Sequence, residues 1–66
     1  MFAIEVGIET FYMDDDAIVA RDMMYKYCET EFGFKGDRWE EIKFEIDDDE
    51  LEKLLESQGI HYKIIY

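Results

Sequence analysis

Phe2, Ile4, Val6 and Ile8 alternate with Ala3, Glu5, Gly7 and Glu9, the period of two expected of a strand with one buried face. That pattern commits the N-terminal segment to a sheet whose apolar side needs a covering layer. At the other end, Ile60, Tyr62, Ile64 and Tyr66 alternate with His61, Lys63 and Ile65 and read as a further strand. Ile42, Phe44 and Ile46 against Glu41, Lys43 and Glu45 suggest a third strand between them. After Gly7 the alternation loses phase through Thr10, Phe11, Tyr12 and Met13, which implies either a bulge or two shorter strands.

The intervening segments have helical spacing. From Asp14 to about Phe32, Val19, Ala20, Met23, Met24, Tyr27 and Cys28 recur at three and four residues and predict one apolar helix face. Gly33 is placed to end that helix in the left-handed conformation, within the breaker "GFKGDR". A second helix is expected from Asp47, which can cap it while Glu50 reaches back in a capping box; Leu51, Leu54 and Leu55 form its buried stripe and Gly59 closes it.

These elements predict a single α+β domain over residues 1–66, in the order β-α-β-α-β. The expected architecture is a two-layer sandwich: a three- or four-stranded sheet, antiparallel or mixed, with two helices on one face. A domain this small buries roughly 60% of its unfolded surface, so its stability is a few kcal/mol at most.

Eighteen acids against seven bases give a net charge of −11. That balance disfavours direct contact with nucleic acid or anionic membrane and makes a basic protein surface the natural counterpart. The lone Cys28 excludes an intrachain disulfide framework, and without a visible targeting signal the cytoplasm is the expected location.

Two aspartate triplets, Asp14, Asp15 and Asp16 and then Asp47, Asp48 and Asp49, each follow an apolar run. Calcium loops space their acids at alternate positions around a glycine turn, and "DDDAI" and "DDDEL" do not, so helix capping and dipole complementation are the better reading. Cys28 and His61 lack a third orienting group for nucleophilic chemistry, and the four glycines form no phosphate loop. No cofactor is expected, and no catalytic set is assigned. The echo between the triplets reads as recurring strand-to-helix grammar, because the two halves of the chain do not otherwise match.

The remaining feature is charge placement. Asp48, Asp49, Glu52 and Glu56 are expected along the exposed face of the second helix, opposite its leucines, with Lys53 as the nearby base. Glu5, Glu9, Glu41 and Glu45 are expected to form another acidic area on the polar face of the sheet. Carboxylates three or four apart on a helix stand about 5–6 Å from one another, comparable to the spacing of backbone phosphates. The candidate partner-binding residues are therefore Asp14, Asp15, Asp16, Asp47, Asp48, Asp49, Glu52 and Glu56.

In size, acidity, lack of proline and mixture of strands and helices, the chain resembles the small inhibitors that phages encode against host defence, including anti-CRISPR proteins and other nucleic-acid mimics. The resemblance is one of class and covers the whole chain. It implies a non-enzymatic inhibitor, acting in the host cytoplasm, that occludes a basic groove on a nuclease or other nucleic-acid-binding effector. The alternative reading is a homodimeric or regulatory interaction module that binds through exposed aromatics such as Tyr25, Phe34, Trp39 and Tyr66.

Overall fold

The loss of phase after Gly7 is a hairpin. In the computed structural model, which describes residues 2–13 and 17–66, β1 (Phe2–Val6) turns through Gly7 and Ile8 into β2 (Glu9–Met13). The strands pair antiparallel without a bulge, from Val6 opposite Glu9 to Phe2 opposite Met13. Gly7 has φ +61°, the positive value that a tight hairpin turn requires at its first central position. The positive φ favours glycine, and a Cβ there would also crowd the Tyr27 hydroxyl at 3.1 Å and the Phe32 ring at 3.3 Å.

The strand β3 (Tyr62–Ile65) pairs antiparallel with β1 on its other side, giving the order β2-β1-β3. The Gly7 N–H donates to the His61 carbonyl at 2.9 Å and extends that pairing. Register puts Phe2, Ile4, Val6, Phe11, Met13, Tyr62 and Ile64 on one face. Ile4, Val6 and Met13 on this face join buried residues from all three helices in one core. Each full burial of a large apolar side chain contributes roughly 1.5–3 kcal/mol.

Residues 42–46 correct the sequence reading, because α2 (Asp37–Glu45) is a helix where a strand was expected. The observed order is therefore β-β-α-α-α-β, with α1 (Ala17–Phe32) before it and α3 (Asp48–Ser57) after it. Three alternations are too few to exclude a helical period, and Glu, Lys and Arg favour helix over strand. Trp39 and Ile42, three apart, become buried at 2% and 4% exposure. Asp37 and Glu40 in the first turn and Lys43 in the last complement the helix dipole. Phe44 is left outside, 88% exposed.

The buried side of α1 is also rotated from expectation. Met24, Tyr25 and Cys28 are in the core, while Val19 and Met23 are 56% and 60% exposed. Two neighbours fix this rotation: Tyr25 packs edge-on against Trp39, with ring centroids 5.8 Å apart, and Arg21 pairs with Asp48 of α3. Further ring contacts run from Trp39 through Phe34, Phe32 and Tyr27 to Phe11, so the 33–36 connection is tied down by aromatic packing. Of the aromatics expected to be exposed for binding, Tyr25 and Trp39 are buried, Phe34 is half-buried and Tyr66 is exposed.

The helix ends follow local chemistry. Gly33 takes φ +70° and its N–H donates to the Glu29 carbonyl. At Gly59 the N–H of Ile60 reaches the Leu55 carbonyl and that of Gly59 reaches Glu56, the paired bonds of a Schellman ending. No helix among the described residues is long and apolar enough to cross a membrane.

Candidate functional site

Helical α2 moves two acids to a new place. Glu41 and Glu45, four apart, lie on its side toward α3, not on the polar face of the sheet. With Arg38, Ile42, Asp47 and Glu50 they line a shallow cleft of about 180 Å³. Around the turn, Glu45, Ile46, Asp47, Asp48 and Asp49 line a second depression of about 310 Å³. Residues 37–57 hold ten of the eighteen acids against three bases. The α2–α3 corner is thus the acidic pole of the described molecule.

The corner turns on one residue. Ile46 has φ +52°, a left-handed conformation that is strained for a β-branched side chain. Its neighbour Asp47 serves both helices: its N–H donates to the Ile42 carbonyl at 3.1 Å, and its Oδ1 accepts from the Glu50 N–H at 3.1 Å. The expected cap is present, but the capping box is only half formed. The Glu50 carboxylate pairs instead with Arg38 at 3.0 Å and Lys53 at 3.5 Å.

The expected residues divide by environment. Asp48 is held in a two-pronged pair with Arg21, at 2.7 and 3.0 Å, with only 28% of its side chain exposed. This pair raises the Arg21 guanidinium further above its ordinary value and locks α1 to α3. Asp49, Glu52 and Glu56 are exposed on one face of α3. Asp14, Asp15 and Asp16 lie outside the described residues. Glu41, Glu45 and the exposed Ile46 belong to the same corner, which the strand reading missed by assigning the two acids to the sheet and pointing Ile46 inward. Phe44, also exposed, lines a depression between α1 and α2 with Glu29, Glu40 and Lys43.

A second polar cluster joins α1 to α2. Glu29 Oε2 accepts from the Trp39 indole at 2.8 Å and from Lys43 at 2.7 Å, and Lys43 also pairs with Glu40 at 3.0 Å. Lys43 and then Trp39 hold the Glu29 carboxyl below its ordinary value. This set fixes the orientation of α2 and hence of the corner.

The other candidate groups are apart from this corner. Cys28 is fully buried, and burial pushes its thiol up to about 12. His61 sits instead beside Glu5, at 3.0 Å. Among the described residues no His, Cys, Asp and Glu side chains group to hold a metal ion. Against known proteins, the chain matches no family model, no curated protein and no solved structure.

Proposed function

We propose that the chain is a non-enzymatic binding protein whose α2–α3 corner engages a basic, nucleic-acid-binding surface of a partner protein and blocks it. The observation that carries this reading is the convergence of Glu41, Glu45, Asp47 and Asp49 at one corner, continued along α3 by Glu52 and Glu56. Carboxylates at this spacing present a repeating negative pattern that a groove built for phosphates accepts. Ile46, 52% exposed among those acids, supplies an apolar anchor that charge alone lacks. Inhibition of a nuclease or defence effector in the cytoplasm of a phage host, as the class resemblance implies, is the specific form of this reading.

The test is capture from host lysate on the immobilised chain at low salt, followed by elution with duplex DNA. A nucleic-acid-binding protein that the DNA displaces is the expected result. The variant Asp49→Asn/Glu52→Gln/Glu56→Gln should lose it and flatten the salt dependence. Recovery that survives this variant and ignores DNA overturns the reading.

A further inference from the structure

The stripe Val19, Met23 and Tyr27, spaced at four, has the pattern of a buried helix face, yet Val19 and Met23 are more than half exposed. Beside it runs β2, an edge of the sheet. Counting the antiparallel ladder from the two-residue turn, the backbone groups of Thr10 and Tyr12 point away from β1. Among the described residues neither makes a backbone bond outside the ladder. Natural edge strands are usually blunted by lysine, proline or a bulge; β2, "ETFYM", has none of these. Between strand and helix lies an apolar groove of about 340 Å³, lined by Phe11, Met23 and Tyr27, with Glu9, Lys26 and Glu31 at its rim.

We propose that this edge and groove dock an extended basic segment of a partner protein, which adds to β2 as a fourth strand. Its backbone bonds to Thr10 and Tyr12, and its alternate apolar side chains cover Met23 and Tyr27. Charge selects the occupant. Glu9 begins β2, and in sequence three aspartates directly follow Met13, so basic residues toward the ends of the added strand are favoured. A second copy would set Glu9 opposite Met13 of its twin, the residue that the three aspartates follow in sequence, and bring together two chains of charge −11. The other edge, β3, carries Lys63 and has only four residues.

The test is amide hydrogen exchange by NMR on the intact chain, alone and with an alternating Lys-Val peptide of about eight residues, using a Glu-Val peptide as control. In the free protein, Thr10 and Tyr12 should exchange fast while Phe11 is protected. The Lys-Val peptide should protect both, and the Glu-Val peptide neither. Tyr12→Pro removes an outward N–H without breaking the β1 ladder and should weaken the Lys-Val peptide about tenfold or more. Neutralising Asp49, Glu52 and Glu56 should leave protection at Thr10 and Tyr12 intact, separating this surface from the acidic corner. Protection of Thr10 and Tyr12 in the free monomer, self-association that protects them, or peptide effects confined to the α2–α3 corner overturns the proposal. So does no binding at millimolar peptide.

Discussion

Residues 2–13 and residues 37–46 both contain alternating apolar and polar residues, yet one folds as a hairpin and the other as a helix. In the hairpin, Ile4 and Val6 are both fully buried, so the period of two is realised in packing. In α2 the residues that decide burial are Trp39 and Ile42, three apart, and the alternation of Ile42, Phe44 and Ile46 is incidental: Phe44 and Ile46 are exposed. A short alternating run therefore specifies a strand only when nearby apolar residues do not offer a better helical face.

The strongest way to break the contrast is to remove the anchor of α2. Trp39→Ala should cost about 3–5 kcal/mol, comparable to the whole stability of a domain this small, whereas Phe44→Ala on the same helix should be nearly neutral. Urea unfolding followed by circular dichroism distinguishes them, and equal losses would mean that Phe44 is buried after all. On the hairpin side, Gly7→Ala should cost about 2 kcal/mol through its positive φ and crowding against Tyr27 and Phe32. An unchanged urea midpoint would disprove that turn geometry. Arg21→Gln should cost a comparable 2 kcal/mol or so, because Asp48 is left partly buried without its partner; the same titration reads it.

The end of α2 offers a gain. Ile46→Gly should stabilise the protein by about 0.5–1 kcal/mol, since relief of left-handed strain outweighs the added freedom of the unfolded chain. A lower thermal midpoint in that variant would contradict it. The smallest effect concerns pH. Because the folded-state pKa of Glu29 is depressed, its contribution is full above the ordinary value of 4.5 and is lost as pH falls through the depressed one. The stability difference between the native protein and Glu29→Gln should therefore shrink below that range, and a difference that persists at lower pH would rule out the ionised Glu29 pair as its source.

The signals legible in sequence were those complete within a few residues. Asp47 caps α3, Gly33 and Gly59 take positive φ, Leu51 and Leu55 are buried, and the two terminal strands form. The missed features depend on distant partners. Arg21 and Asp48 are 27 positions apart, and their pairing helps set which side of α1 turns inward. Nothing local to Val19 or Met23 could reveal that. The acidity at the candidate site was visible, but its shape was not, because Glu41 and Glu45 join the corner only once residues 37–45 are helical.

The one indole of the chain is buried, hydrogen-bonded to Glu29 and only 5.9 Å from the Lys43 ammonium. Its emission should consequently change when α2 loosens, when the Glu29 carboxylate is protonated, or when a partner closing over nearby Phe44 displaces Lys43. The protein thus carries an intrinsic fluorescent reporter beside its acidic pole, able to test the binding proposed there without an attached dye.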